Sequence, residues 1–177
     1  MKNMNQKTMA LLILTLSAAV AAPATAAFAA QGSKVHSYHG VSELDQSPCN
    51  VDVYREGDSV TGFVARGQGH FWKEATGFSP DQEGTNVHID ASDLRELSSV
   101  VGHSVVFKKS RSWLFNRTKY VASATIQNRE IGVKLGQSLT VKFYGDESSP
   151  SKILVSDTGQ GLGRYSQSMT CLLPANK

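Results

Sequence analysis

Short runs in which apolar and polar residues alternate constrain the fold of this chain more than any other feature. Val51 and Val53 alternate with Asp52 and Tyr54, a turn follows at Gly57-Asp58, and 60–65 alternates again. Two such runs around a glycine-containing turn predict a β-hairpin. The same pattern recurs further along the chain, at 103–108, 119–127, 130–135, 138–144, 152–156 and 164–173.

The spacing of these runs predicts the fold class. Turn residues separate them at intervals of roughly 8–12 positions, which is typical of an antiparallel β-sandwich or small β-barrel of about eight strands. Residues 90–97 have the only helical pattern, with Asp90 or Ser92 as its cap and Gly102 as its end. Because no long helix separates the strands, the pattern argues against a parallel α/β sheet.

The segment 1–29 has the layout of a secretory signal peptide. Lys2 and Lys7 precede an uncharged apolar run, 9–22, and small residues follow it as far as Ala30. Cleavage after Ala26 or Ala29 fits this pattern, and Ala29 is preferred because a polar segment begins at 31. The apolar run is too short to cross a bilayer. We therefore expect a secreted or periplasmic protein with no transmembrane segment after cleavage.

The rest of the chain is then expected to form one domain. Polar residues rich in Gly and Ser predict a flexible lead over 30–47, ahead of a β domain at 48–174 and a tail at 175–177. Loss of Lys2 and Lys7 with the segment 1–29 lowers the net charge from +3 to +1. This near-balance does not favour nucleic acid as a partner. A 40% hydrophobic content excludes a disordered chain.

Two cysteines, Cys49 and Cys171, lie near the two ends of the predicted domain. In an exported protein such a pair predicts one disulfide that fastens the ends together. No C-x-x-C spacing points to a redox role.

One segment resembles known catalytic motifs. Asp157, Gly159 and Gly161 resemble the D-x-G-x-G adenine-binding box of histidine-kinase-type ATPases, and Asp157-Thr158-Gly159 resembles the D-T-G of aspartic proteases. No asparagine box precedes the segment, and the short stretch that follows Gly163 cannot form a nucleotide lid. The protease chemistry needs a second carboxylate that shares a proton. We therefore interpret 157–163 as a glycine-rich turn and expect no cofactor.

Other chemistry has weaker support in the sequence. His36-x-x-His39 lies in the predicted lead, and His70, His88 and His103 are scattered, which does not match zinc-ligand spacing. We therefore expect no metal site and assign no catalytic residue. No G-x-S-x-G elbow is present, although a triad assembles in space and a small hydrolase stays an open alternative.

The strongest functional signal is a charge asymmetry. From Leu97 to Arg129 there is no acidic residue, and six cations give this segment a charge of +6. These cations are Lys108, Lys109, Arg111, Arg117, Lys119 and Arg129. Trp113, Phe115 and Tyr120 lie among them, in a pattern of strand, extended loop and return strand.

Two interpretations of this segment stay open. In the first, a basic and aromatic hairpin binds an anionic envelope polymer or a protein, through Lys108, Lys109, Arg111, Trp113, Arg117, Lys119 and Tyr120. In the second, Trp113, Phe115 and Val121 are core residues and the cations form an ordinary solvated face. A further alternative is an inhibitor of a hydrolase, a lysozyme or a protease, that presents loop 79–86, 145–151 or 157–163.

Overall fold

The computed structural model of the protein describes residues 32–74, 78–91, 94–128, 133–160 and 163–174. These residues form nine β-strands and one short helix. The strands are β1 (Ser33–Ser42), β2 (Pro48–Glu56), β3 (Ser59–Glu74), β4 (Phe78–Asp90), β5 (Lys108–Ser112), β6 (Arg117–Asn128), β7 (Val133–Asp146), β8 (Ser149–Gln160) and β9 (Arg164–Leu172). The helix α1 (Arg95–Val101) lies between β4 and β5.

All the strands pair antiparallel in one sheet, in the order β4-β3-β2-β1-β9-β8-β7-β6-β5. Strand β9 also pairs with β3 over 164–168, and its last two residues pair with β1. Strands β1, β2, β3 and β9 therefore form a closed circuit, from which β8, β7, β6 and β5 extend as a meander. This architecture confirms the predicted all-β antiparallel class with one short helix.

The core lies on the inner face of this sheet. Buried apolar residues alternate along β8 and along the described parts of β6 and β7, whereas β5 has none, and Val51, Phe63, Ile89, Phe143 and Ile153 are at most 1% exposed. Removing a side chain of this size from water contributes about 1.5–3 kcal/mol. The period-two alternation of the sequence thus has its expected cause, because successive side chains point to opposite faces of a strand.

The predicted disulfide is confirmed, and it joins two strands that are not neighbours. Cys49 of β2 and Cys171 of β9 are bonded, with their Cα atoms 5.9 Å apart, and both are buried. Strand β1 lies between them, since Gly40 is opposite Cys49 and Ser42 is opposite Cys171. The cross-link therefore closes the circuit of strands at the end of β1.

Two predicted segments are wrong. The flexible lead over 30–47 contains β1, which pairs along its whole length with β2. The sequence pattern predicts a helix from Asp90, but Asp90 lies in β4 and α1 begins at Arg95 without a side-chain cap. The predicted end is confirmed, because Gly102 has a φ of 72° and donates its N–H to the carbonyl of Ser98.

Strands also replace several predicted turns and loops. Strand β7 continues through Gly136-Gln137, the predicted turn between the runs 130–135 and 138–144. Strand β4 covers 79–86, and β8 extends through Asp157 to Gln160. Residues 1–29 and 175–177 lie outside the described residues, so the signal peptide stays a prediction. In the described part of the chain, no helix is long and apolar enough to span a bilayer.

Candidate functional site

The basic segment forms a regular hairpin at the edge of the sheet. Strand β5 pairs with β6 from Lys108 opposite Val121 to Ser112 opposite Arg117, and β6 pairs with β7 on its other side. Directly opposite residues share a face of a sheet. The register therefore assigns each cation either to the inner face, beside the core, or to the outer face, in solvent.

Lys109 belongs to the inner face and is already paired. It lies opposite Tyr120, and its Nζ is 2.9 Å from Oε2 of Glu147, in the turn between β7 and β8. Arg55 of β2 forms an ion pair with the other carboxylate oxygen, Oε1. One carboxylate thus holds two cations from different strands, so the cluster keeps a net charge of +1 and Lys109 is engaged in an ion pair that joins the hairpin to β2.

Tyr120 is buried, although the sequence predicted an exposed aromatic residue that contacts a partner. Its side chain is 2% exposed, and its hydroxyl donates to Oε1 of Glu147 at 2.7 Å. Lys109 Nζ lies 5.4 Å from the ring centroid, within cation–π range. Tyr120 therefore stabilises the inner end of the hairpin and offers no contact area outside it.

Arg111 also projects on the inner side, opposite the buried Thr118, but is itself exposed. Its charge acts on Asp146 across the end of the sheet. The pKa of Asp146 is lowered, chiefly by hydrogen bonds from the backbone N–H and hydroxyl of Ser148 and to a smaller extent by Arg111. Arg111 thus lies within electrostatic reach of a carboxylate.

The outer face of the hairpin holds cations of a different kind. Lys108, Arg117 and Lys119 point outward there, and β7 adds Lys142, which sequence reasoning did not include. We call these four residues the basic face. None of them has a carboxylate within 4.0 Å among the described residues.

Two lysines of the basic face lie directly opposite each other. Lys119 of β6 is paired with Lys142 of β7, and both side chains are partly exposed. Such residues have Cβ atoms about 4.5–5.5 Å apart, and like charges at this distance destabilise a sheet. Lys142 could be found from the sequence only with the β6–β7 register, which no local motif provides.

Aromatic side chains border the basic face at its end nearest the turn. Tyr144 lies opposite Arg117 on β7, and its ring centroid is 5.9 Å from the guanidinium carbon. Lys152 of β8 lies 4.9 Å from the same ring and 3.6 Å from Glu43, which neutralises it. The ring centroid of Phe115, in the turn, lies 5.7 Å from the guanidinium carbon of Arg117.

The turn of the hairpin exposes three consecutive apolar residues, which we call the apolar tip. Trp113, Leu114 and Phe115 are 87%, 68% and 65% exposed. The interpretation of Trp113 and Phe115 as core residues is therefore wrong. The turn has a defined conformation, because Asn116 has a φ of 41°, donates its N–H to Trp113 and accepts a hydrogen bond from Gly145 of β7.

Asp157, the residue of both catalytic resemblances, points into the fold from β8. It is 7% exposed, and its carboxylate accepts hydrogen bonds from Gln137 at 3.2 Å, Tyr165 at 3.1 Å and Gln167 at 3.4 Å. Burial, with the charge and hydrogen bond of Asp157, raises the pKa of Tyr165 to about 12. The carboxylate thus serves as an internal hydrogen-bond acceptor.

The histidines of the sequence lie apart. His36 and His39 are in β1, where His36 packs 4.2 Å from the ring of Tyr38, and His103 follows α1. Among the described residues, no three His, Cys, Asp or Glu side chains converge on one point.

No protein-family model, curated protein or solved structure matches this chain.

Proposed function

We propose that this protein is an exported, non-enzymatic binding protein that recognises an anionic cell-envelope or extracellular partner through the basic face and the apolar tip. The export step depends on the signal peptide predicted in residues 1–29. Of the cations predicted to bind, the proposal keeps Lys108, Arg117 and Lys119, adds Lys142 and leaves Lys109 to its structural role.

The observation that carries this proposal is the facing pair Lys119 and Lys142. Two like charges opposite each other cost stability, and no described carboxylate relieves them. Sequences depart from locally favourable choices chiefly at functional positions, where a partner supplies what the fold does not. An anionic group above the β6–β7 pair would neutralise both charges at once.

Several cations outside the basic face have a carboxylate partner. Lys34, Arg55, Lys109 and Lys152, on four different strands, each form an ion pair. Arg66, Lys73 and Arg164 form none among the described residues, but none of them lies directly opposite another Lys or Arg. Uncompensated charge on one face concentrates a positive potential there and attracts polyanions in a salt-dependent way.

The test compares two triple variants of equal net charge on an immobilised polyanion without acyl chains, either wall teichoic acid or deacylated lipopolysaccharide. The first replaces Lys108, Lys119 and Lys142 with Gln. The matched control replaces Arg66, Lys73 and Arg164, on β3 and β9, with Gln, because these cations also form no ion pair among the described residues.

Each cation close to an anionic surface contributes about 1 kcal/mol, so the first variant should lose roughly 100-fold in affinity. The control should bind nearly as the native protein does, and raised salt should weaken both. Equal losses in the two variants would show that only net charge matters, and unchanged retention of the first would refute the proposal.

A further inference from the structure

The apolar tip and the basic face together fit an anionic lipid surface better than a soluble anionic polymer. We propose that Trp113, Leu114 and Phe115 insert at the interface of an anionic lipid layer while the basic face contacts its headgroups. This inference rests on the proposed function and names the class of its partner.

The first argument is the composition of the apolar tip. A polyanion in solution binds cations and stacks on aromatic rings. It gains no comparable contact from an exposed aliphatic side chain between two aromatic ones. Leu114 is 68% exposed at the centre of the turn. Tryptophan is enriched where an apolar layer meets water, and Leu and Phe partition below that level.

The second argument is charge complementarity around the apolar tip. Arg117 directly follows the turn, Lys108 and Lys119 lie further along the outer face, and Arg111 lies on the inner side. The described chain from Leu97 to Asn128 contains no carboxylate, and the nearby Asp146 and Glu147 at the end of β7 interact with Arg111 and Lys109 of the hairpin. Basic residues that flank exposed apolar ones match a surface that is anionic above and apolar below.

The third argument is the rigidity of the turn. Hydrogen bonds from Asn116 to Trp113 and from Gly145 to Asn116 fix the turn against β7. Arg117 and Tyr144 stack within cation–π distance beside it. A turn that is already ordered loses little conformational entropy when it enters a lipid layer, so its exposed side chains are presented ready for insertion.

The experiment uses the full chain recovered after expression, with its N-terminus determined by mass spectrometry. Every variant carries the same N-terminus, so any contribution of the apolar segment 9–22 is equal in all of them. Trp72→Phe leaves Trp113 as the only tryptophan, since the chain has two. The tip variant replaces Trp113, Leu114 and Phe115 with Ser, and the basic-face variant is the triple Gln variant described above.

Vesicles of phosphatidylcholine with and without phosphatidylglycerol are the probe. The native protein should sediment with the anionic vesicles, where insertion should shift the emission of Trp113 to the blue. In vesicles with brominated acyl chains the same emission should be quenched. The tip variant should lose at least about 30-fold in vesicle affinity, because three large apolar side chains stay in water. It should keep its retention on the immobilised polyanion, whereas the basic-face variant should lose both.

The outcomes separate the two proposals. Retention on the polyanion without sedimentation on anionic vesicles refutes the lipid inference and leaves the proposed function in place, whereas absence of both kinds of binding refutes both. A native protein that dimerises in light scattering, with a monomeric tip variant, would assign the tip to self-association and overturn the inference. Unfolding curves of the variants exclude misfolding, which is not expected at three exposed positions.

Discussion

Replacing Lys142 with Glu should stabilise the fold and weaken the proposed binding at the same time. Lys142 faces Lys119 directly across the β6–β7 pair. Opposite charges in such a position contribute about 0.2–1 kcal/mol, and like charges cost a comparable amount. Changing the sign at one position therefore shifts the free energy of unfolding by about 1 kcal/mol. For a domain of this size that corresponds to a rise in Tm of about 3 °C.

The assay is thermal unfolding by circular dichroism at low and high salt. The stabilisation should shrink at about 1 M salt, where the screening length falls to about 3 Å. Lys142→Gln removes the repulsion without adding an attraction and should give about half the shift. The double variant Lys119→Glu, Lys142→Glu restores a like-charged pair and should return close to the native Tm, which isolates the pairwise interaction.

Two results would refute this reasoning. A Tm that falls in Lys142→Glu at low salt would mean that the two ammonium groups do not repel each other in the folded protein. A rise in Tm that is indifferent to salt would assign the effect to packing. Binding to the immobilised polyanion should weaken in the same variant, since the basic face changes by two charges, and unchanged binding would contradict the proposed function.

Two further predictions concern the core. Replacing Cys49 and Cys171 with Ala should lower the free energy of unfolding by about 5 kcal/mol in guanidinium titrations, because the cross-link closes a loop of 122 positions; a loss below about 1 kcal/mol would contradict the chain-entropy account. The pKa of Tyr165 is raised to about 12, so the stability that its protonated phenol contributes is complete below the ordinary value of 10.0 and is lost as pH rises towards 12. Ultraviolet titration of tyrosinate should show one late component that Tyr165→Phe removes, and an unchanged titration would contradict the assignment.

The elements that the sequence predicted are those with local signals. The hairpin of β2 and β3 has alternating valines around Gly57-Asp58, and Gly102 ends α1 because glycine adopts a positive φ at low cost. The disulfide followed from the parity and position of two cysteines in a chain that is predicted to be exported. Each of these signals lies within a few neighbouring residues or in the number of cysteines. It can therefore be read without the tertiary structure.

The misjudged elements depend on partners that are distant in sequence. Strand β1 is mostly exposed over Ser33–Gly40, so it lacks the apolar alternation that marks a strand, and its pairing with β2 establishes it instead. Strand β7 passes through Gly136-Gln137 because both of its edges are paired there, with Thr125 and Gln160 among the partners. Backbone hydrogen bonds on both sides thus override a local turn signal.

The face of β6 is ambiguous in the sequence for a related reason. Either set of alternating residues in 118–125 contains small and β-branched side chains, so periodicity alone does not decide which set is inside. In the structure the set with Tyr120 is buried, and Tyr120 also bonds to Glu147 on that face. The interpretation of Trp113 and Phe115 as core residues assumed that the strand continues through them. These residues form a turn instead, where side chains do not alternate between two faces.

The register changes the functional meaning of the basic segment. A count along the sequence treats all its cations as equal, but Lys109 forms an ion pair with Glu147, and Asp146 lies within reach of Arg111. The same register adds Lys142, which lies outside the segment, to the face that stays unneutralised. Because neutralised cations contribute to stability and unneutralised ones to attraction, substitutions at Lys109 and at Lys142 should have opposite effects on the fold. A charge-reversed variant that includes Lys109 would therefore confuse unfolding with loss of binding, whereas one confined to the basic face does not.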